Sequence, residues 1–469
     1  MGQIENSKKC NLMKQRCFDM KKNYSKFKIL NSEFLPGAYL PVIMMVATLF
    51  MGLAIAVVTL SLSNIKLAKN HERAISALDI AESGINYYMW HLSHNNKDYC
   101  DGNVCEGTGP YGPFIHEYKD QSGKVLGSYE ITITPPILGD NVTRIRSVGH
   151  IDNSDKKRTL TAELGMPSFA RFSFLTNSEC WFGNGETTEG PVHSNVGVHY
   201  DGAANGVVSS SNLSYTPSSS YGGDGHTVRD GVWGNGGPIN YWVFPVPTVD
   251  FNKISVDFTN LRTKAIINGI HYDKSSSQGY YFHLRIDNKI DVYRVSRERT
   301  SGITTNFIET KNAPSNGILF AEDNVWVDGT YNNKITIVAD TPGSGTPAIK
   351  IKDNLLYQAK DGNSSIGLVA EGNVEVPQYA SNNLEIDAAL LSQTGHVWYP
   401  YVFGAIKNNI QVYGSISTLQ TWTWTWVSGS IVTSGYRTTS QTYDPYLTLN
   451  PPPEFPTTGT FAILSWREE

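Results

Sequence analysis

The stretch "LPGAYLPVIMMVATLFMGLAIAVVTLSLSNI", from Leu35 to Ile65, decides how this chain is organised, because no charged residue interrupts it. A transmembrane helix needs only about 20 apolar residues to cross about 30 Å of hydrocarbon. A secretory signal peptide has a shorter apolar core, of about 7 to 15 residues. We therefore expect a membrane-spanning helix that stays in the protein, in preference to a cleaved signal peptide.

Charge is distributed unevenly along this chain of 469 residues, whose formal net charge is -5. Residues 1–37 carry eight Lys and Arg side chains against three Asp and Glu, so this segment is basic although the chain is acidic. Basic residues flank membrane helices on the cytoplasmic side, which predicts a cytoplasmic leader over 1–37 and an external location for everything after the helix. A nucleic-acid-binding tail is the alternative for the leader, but the net charge argues against nucleic acid as a partner.

Helical periodicity continues beyond the apolar stretch, into "NIKLAKNHERAISALDIAESGINYYMWHL". Five residues form a stripe at heptad-type spacing along this segment: Leu67, Ala74, Leu78, Ala81 and Ile85. Since no proline occurs between Pro41 and Pro110, one transmembrane and assembly helix is predicted over 38–92, about 80 Å long at 1.5 Å per residue. Its inner half is expected to pack on neighbouring subunits, and its outer half on its own domain.

The rest of the chain is predicted to be mainly β, because short apolar runs alternate with Gly, Asn and Asp turn signals. Residues 93–165 are predicted to form a small antiparallel sheet, since "GSYEITITPP", "TRIRSVGHI" and "KRTLTAEL" alternate as strands do. Residues 166–450 contain weak repeats, such as "AEDNVWV" at Ala321 and "AEGNVEV" at Ala370. These repeats predict a parallel β-solenoid head, with a β-sandwich as the alternative.

Three further features divide this β region. Residues 245–297 are predicted to be an insertion, with a helix capped by Asp250 and a hairpin in "GYYFHLRIDNKIDVYRVS". Residues 451–469 are predicted to be a Pro-rich C-terminal tail. Three asparagines are predicted at turns of the solenoid, where an amide can hydrogen-bond a stacked counterpart: Asn324, Asn354 and Asn373.

Cysteine and histidine offer few candidates for chemistry. Cys100 and Cys105 in "YCDGNVCEG" are predicted to form a disulfide that stabilises the fold by roughly 2 kcal/mol, with two unpaired turn cysteines as the alternative. Cys180 is predicted to be a buried thiol. His193 in "GPVHSN" is expected to pack in a turn, because no convergent ligands or activated nucleophile accompany it. No catalytic residue, metal site or cofactor is predicted.

The segment "TWTWTW", from Thr421 to Trp426, is the most unusual local feature. In a strand, Trp422, Trp424 and Trp426 would lie on one face, about 7 Å apart. Such a row would cover an end of the solenoid if buried. If exposed, it would contact another subunit or stack on the sugar rings of a carbohydrate ligand.

The helix end "ALDIAESGINYYMWHL" resembles the A-E-(A/S)-G-I signature that closes the long helix of PilX-like type IV pilus assembly proteins. Segments such as "WFGNGETTEGPVHSN" resemble the solenoid-type ectodomains attached to PilX-like amino termini in bacterial proteins. The resemblance implies prepilin-type processing after Gly37, which would leave Ala38 as the new amino terminus. Where major pilins have Glu five residues after the cut, this chain has Val42.

The resemblance implies a non-enzymatic minor pilin-type protein of type IV pilus or pseudopilus assembly, with one membrane span and a cytoplasmic amino terminus. Its expected partners are the membrane and other pilin-like subunits, and its head would serve adhesion or surface interaction. Two alternatives remain open: a surface adhesin or scaffold outside any filament, and a β-helix enzyme acting on polysaccharide.

Overall fold

The computed structural model describes these ranges of the chain: 39–136, 142–343, 345–429, 431–459 and 461–469. The predicted basic leader and the Gly37–Ala38 bond lie outside the described residues. The described residues divide into two units between Glu72 and Arg73.

The first described element is one long helix, α1 (Tyr39–His94), as the sequence predicts. Pro41 lies in its first turn, where a backbone N–H has no acceptor within the helix, so the proline costs no hydrogen bond. The part of α1 in the first unit is exposed over its apolar length. The part in the second unit buries one side, which includes Ala77, Ile85 and Leu92.

Four antiparallel strands follow α1: β1 (Tyr111–Lys119), β2 (Val125–Thr134), β3 (Val142–Ile151) and β4 (Lys157–Gly165). Alternating residues such as Ile131, Ile145 and Leu164 point to one face of the sheet, where they share a core with Ile85 and Tyr88 of α1. The predicted small antiparallel sheet is present, and its apolar face is covered by the helix of the same chain.

A large β region comes next. Before the second helix its strands are β5 (Phe174–Thr176), β6 (Cys180–Phe182), β7 (Thr187–Thr188), β8 (Val192–Ser194), β9 (Val198–Tyr200), β10 (Ala203–Ala204), β11 (Val208–Ser210), β12 (Ser214–Tyr215), β13 (Arg229–Asp230), β14 (Val232–Trp233) and β15 (Trp242–Val243). The second helix is α2 (Ile254–Asn268). Short 3-10 helices occur at Phe169–Arg171, Ser219–Tyr221, Ile239–Tyr241, Phe251–Lys253 and Pro445–Thr448.

After α2 the strands are β16 (Ile270–Tyr272), β17 (Gly279–Leu284), β18 (Lys289–Arg299), β19 (Gly302–Asn312), β20 (Ile318–Ala321), β21 (Val325–Tyr331), β22 (Lys334–Ala339), β23 (Ile349–Tyr357), β24 (Ser365–Ala370), β25 (Val374–Glu375), β26 (Asn383–Ser392), β27 (Val397–Trp398), β28 (Ile406–Thr418), β29 (Trp422–Thr423), β30 (Thr425–Ser428) and β31 (Ile431–Tyr443).

Parallel pairing organises this region into ladders. One ladder within the described residues has the order β16, β20, β22, β24, β26, β28, β5, β8, β11 and β15. A second has the order β17, β21, β23, β25, β27 and β29. The strands β5, β8, β11 and β15, which precede α2 in the chain, form one end of this ladder. After α2 the ladder continues from β16 to β28, and β28 then pairs with β5, which was formed before α2.

In the middle of the first ladder, β20, β22, β24 and β26 are buried on both faces, which explains why these strands read as nearly continuous apolar runs. Leu319, Ile337 and Leu368 lie in the larger core, between the ladders. Their neighbours Phe320 and Val338 lie in a separate core, together with residues of α2.

The predicted insertion at 245–297 is only partly separate from the ladders. Asp250 caps the 3-10 turn Phe251–Lys253 immediately before α2, where its side chain accepts a hydrogen bond from the N–H of Asn252. The hairpin of β17 and β18 is present, but β17 also pairs in parallel with β21 and is therefore a member of the second ladder.

The last strand, β32 (Ala462–Glu468), pairs antiparallel with β4. The chain therefore leaves the small sheet at Gly165 and returns to it at Ala462, with the large β region inserted between two neighbouring strands. The segment interpreted as a Pro-rich tail, 451–469, thus ends in a strand. Its short alternating run follows several prolines, which hid the strand signal.

Candidate functional site

The exposed apolar part of α1 is the first candidate surface. It contains an 18-residue window that is apolar enough to cross a membrane, and none of that window is buried. Thr48 and Thr59 lie in this part, and their hydroxyls donate to helix carbonyls, as Thr59 Oγ1 does to Ile55 O at 2.9 Å. Their polar atoms are therefore satisfied within the helix, as a hydrocarbon environment requires.

The predicted assembly stripe divides along the helix. Leu67 is 69% exposed, Ala74 and Leu78 are half-buried, and Ala81 and Ile85 are buried on the small sheet. The outer members of the stripe are therefore occupied by the chain's own sheet, and Leu67 is the member that stays bare.

A polar cluster fixes the loop that follows α1. Cys100 and Cys105 form a disulfide in this loop. Asp98 accepts the N–H groups of Cys100 at 3.0 Å and Gly102 at 2.9 Å, and its Oδ2 lies 3.1 Å from His91 Nε2. Burial alone would raise the pKa of Asp98, but these donors outweigh it and lower the pKa.

Asp101, in the same loop, joins α1 to the sheet. Its carboxylate accepts from Tyr87 Oη at 2.8 Å and lies 2.7 Å from His116 Nε2 on β1. The loop therefore ties the end of the helix to the edge of the sheet through side chains as well as through the disulfide.

The three tryptophans of "TWTWTW" do not form one exposed row. Trp422 packs against Phe174, with ring centroids 4.7 Å apart, and Trp424 is buried. Trp426 is half-buried and donates its indole N–H to Tyr399 O at 2.8 Å. Because Trp424 lies between the short strands β29 and β30, the regular alternation of a single strand is interrupted. The three indoles therefore serve the packing of this end of the second ladder.

His193 and Cys180 are both buried. His193 Nδ1 lies 3.0 Å from Ser209 Oγ, and its Nε2 lies 3.0 Å from Asn195 Oδ1. Burial lowers the pKa of His193 and raises the pKa of the Cys180 thiol. Both side chains are therefore placed for packing, with a neutral ring and a protonated thiol.

His271, Asp273 and Glu322 have ligand atoms within 4.8 Å of one another, a spacing that suits a metal ion. However, Glu322 Oε1 already accepts from Arg262 Nε at 2.5 Å and lies 2.9 Å from His271 Nε2, and Asp273 is 87% exposed. The guanidinium supplies the positive charge that a cation would bring, so these groups form an ion-pair network.

A polar cavity of about 420 Å³ opens at the second ladder. Local sequence patterns do not bring its lining residues together, because these come from separate segments. The lining includes Ser277, Gln278, Glu298, Asp323, Trp326 and Lys350. Lys350 Nζ lies 2.6 Å from Glu298 Oε2 and 3.3 Å from Glu375 Oε1. The pairing of Trp326 with Lys350 in the ladder places the indole and the ammonium side by side.

Comparison with known proteins identifies no family for this chain. No family model and no curated protein matches this chain. Among solved structures, the crystal structure of the competence-associated pilin ComZ from Thermus thermophilus is similar, with 13% identity and a TM-score of 0.28. The match covers 85% of this chain and 97% of that chain. A likeness this remote carries no argument about function.

Proposed function

We propose that this chain is a non-enzymatic, membrane-anchored, pilin-like structural protein that presents a β-solenoid head outside the membrane. The observation that carries the proposal is α1. Its first part is a bare apolar helix, and its last part is packed on the antiparallel sheet of the same chain. A helix of this kind anchors a folded domain and offers the same apolar surface to lipid or to other helices.

The assembly role follows from what can cover the bare helix. Leu67 and Phe50 are each 69% exposed, and Met45 is 67% exposed. Exposure of this apolar surface to water would be unfavourable, whereas lipid or the helices of neighbouring pilin-like subunits would bury it. The basic leader orients the amino terminus towards the cytoplasm, and cleavage after Gly37 would release the helix for assembly.

The parallel ladders support a β-solenoid head. Their strands follow one another in register, and the chain enters and leaves the region through two neighbouring strands, β4 and β32. Two connections hold the head more firmly than a single linker would, which suits a domain that presents a surface for adhesion.

A surface adhesin or scaffold that never enters a filament is the second candidate. Val42 favours it, because a carboxylate at this position in major pilins neutralises the terminal amine of a neighbouring subunit, and valine cannot. Mass spectrometry of the amino terminus of the purified protein separates the two candidates. A chain that begins at Ala38 supports filament assembly, whereas an intact leader in the mature protein contradicts it.

Cysteine cross-linking tests the lateral contact directly. We expect Leu67→Cys to give cross-linked dimers in native membranes under mild oxidation, because this position faces neighbouring subunits. Ile239→Cys is the matched control, since Ile239 is 70% exposed on the head and Leu67 is 69% exposed. Equal cross-linking at the two positions would contradict assembly through the helix.

A further inference from the structure

The polar cavity at the second ladder has a rigid floor. Trp326 is 1% exposed, its Nε1 donates to Tyr379 Oη at 2.7 Å, and Lys350 Nζ lies 5.2 Å from the centre of its ring. The indole is thus fixed between a hydrogen-bond partner and a cation. The volume of about 420 Å³ is within the range of small-molecule sites, about 300 to 1,000 Å³.

Glu298 is held in place by two donors. Tyr379 Oη donates to its Oε1 at 2.7 Å, and Lys350 Nζ donates to its Oε2 at 2.6 Å. A carboxylate offers about four acceptor sites, so one donor on each oxygen leaves capacity for further donors. Glu298 therefore presents a pre-oriented acceptor to the cavity at no further ordering cost.

Asp323 provides a second acceptor. It is 7% exposed, and its Oδ2 accepts the Ser275 hydroxyl at 2.7 Å and the Ser275 N–H at 3.0 Å. Its Oδ1 accepts the N–H of Asn324 at 2.9 Å, which leaves room for one more donor on this oxygen. Lys350 supplies the complementary donor, because two carboxylates take two of its three N–H groups.

The charge balance selects the kind of ligand. Glu298 and Asp323 line the cavity with a single ammonium, and Glu375 shares that ammonium at 3.3 Å. The surroundings are therefore net negative, which disfavours carboxylated or sulfated ligands. Acceptors in excess and one donor suit hydroxyl groups, which both donate and accept.

The same polar and aromatic character continues along the ladder. Register pairing places Trp326, Lys350, Glu375 and Trp398 on successive strands, about 4.8 Å apart. His396 stacks on Trp398, with ring centroids 4.2 Å apart. A linear chain of sugars that lay across the strands would meet the partly exposed side chains of Lys350, Glu375 and Trp398 in turn.

The geometry points to a binding site for a neutral saccharide in this cavity, with Glu298, Asp323 and Lys350 as its hydrogen-bonding groups. The site deepens the adhesive role proposed for the head and rests on that role for its biological meaning. It differs from the three tryptophans of "TWTWTW", which are occupied by packing.

The test uses the full chain in detergent micelles and neutral tetrasaccharides of glucose, galactose, mannose and N-acetylglucosamine, with binding measured by calorimetry. We expect at least one of the four to bind, and Glu298→Gln to weaken it about tenfold, as loss of charged hydrogen bonds does. Glu309→Gln is the matched control, because Glu309 also accepts from a tyrosine, Tyr272 at 3.0 Å, and pairs with a lysine, but does not line the cavity.

A second variant tests the site independently, so that misfolding of Glu298→Gln would not decide the result. Ser277 is exposed at the cavity, so Ser277→Phe should block binding from the solvent side while thermal unfolding stays as in the unaltered chain. Binding that survives both variants, or no binding of any tetrasaccharide at millimolar concentration, overturns the site. Shortening of the tetrasaccharide overturns it as a binding site and indicates an enzyme. Because none of these readouts depends on the amino terminus or on filaments, failure of the site and failure of the assembly role are distinguishable.

Discussion

Gly149 of β3 lies directly against Ala81 of α1: a Cβ atom on Gly149 would stand 2.5 Å from the backbone N of Ala81, and closer still to the carbonyl of Ala77. Real Cβ atoms do not approach backbone so closely, so any side chain here would push helix and sheet apart. The absence of a side chain at this position is what allows the close packing of α1 on the small sheet.

Gly149→Ala should therefore destabilise the small sheet by about 1–3 kcal/mol or more, because overpacking of a rigid contact forces the backbone to shift. Thermal unfolding of the purified chain measures the loss. Gly183→Ala is the control, since its nearest neighbour would lie 4.0 Å away and its φ is not positive. A similar loss in both variants would show that the close contact is not the cause.

The disulfide of the loop after α1 gives a second prediction. Cys100→Ser together with Cys105→Ser should lower the free energy of unfolding by about 2 kcal/mol, because a short closed loop removes only a modest entropy from the unfolded chain. The hydrogen bonds of Asp98 and Asp101 remain, so the loop should stay ordered. Chemical denaturation measures the change. A variant as stable as the unaltered chain would show that these hydrogen bonds are sufficient.

The sequence was informative where burial imposes a period. Heptad spacing and the absence of proline predicted α1, and strict alternation predicted the strands of the small sheet. Asn324 and Asn373 stand immediately before β21 and β25, but Asn354 lies within β23, so the prediction of a turn is wrong for this residue. The side-chain oxygen of each asparagine accepts a backbone N–H and not a stacked amide: that of Ala348 for Asn324, Glu385 for Asn354 and His396 for Asn373.

Pairing between strands that are far apart in the chain could not be predicted from local sequence patterns. Nothing in the composition shows that β28 would pair with β5, more than 200 residues earlier in the chain, or that β32 would return to β4. The cavity depends on the same kind of pairing, because Glu298 meets Lys350 only after a hairpin and two ladder strands are in place. Such contacts are set by tertiary register, which no short sequence window contains.

Stability should depend on pH through Asp340. Burial, followed by repulsion from Glu371 and Glu322, raises the pKa of Asp340 from 3.8 to about 7, against the opposing effect of Arg262. A carboxyl whose folded pKa is raised binds more protons in the native state, so stability falls as pH rises from about 4 to about 7. Asp340→Asn should therefore be more stable than the unaltered chain at pH 8.5, with a gain that shrinks towards pH 5.

Asp361→Asn is the contrasting control. The N–H and side-chain amide of Asn363 lower the pKa of Asp361, so its charged form stabilises the fold above its ordinary pKa. This variant should lose stability at pH 8.5, the opposite sign to Asp340→Asn. Thermal unfolding at pH 5, 7 and 8.5 compares them, and a gain for Asp340→Asn that does not depend on pH would count against the raised pKa.

The anchor can be tested with a single charge. Leu53→Arg places a guanidinium near the middle of the bare apolar part of α1, where membrane insertion costs about 2.5–3.5 kcal/mol more. The variant should be extracted from membranes by alkaline buffer to a larger extent than the unaltered chain. Ile75→Arg, at an exposed position further along the helix, should remain in the membrane. Full retention of Leu53→Arg would argue against a membrane span.

Asn373 connects two strands of the second ladder, because its Oδ1 accepts the N–H of His396 at 2.8 Å while its backbone carbonyl accepts the N–H of Ile349. Asn373→Ala removes the acceptor and leaves the His396 N–H without it, at a cost of about 1–3 kcal/mol. Asn373→Asp keeps an acceptor at the same place and should restore most of the stability. Denaturant unfolding of the three chains measures both effects. Since the backbone bonds are common to all three, a loss in Asn373→Ala that Asn373→Asp does not recover would assign the effect to the packing of the amide and not to its bond with the next strand.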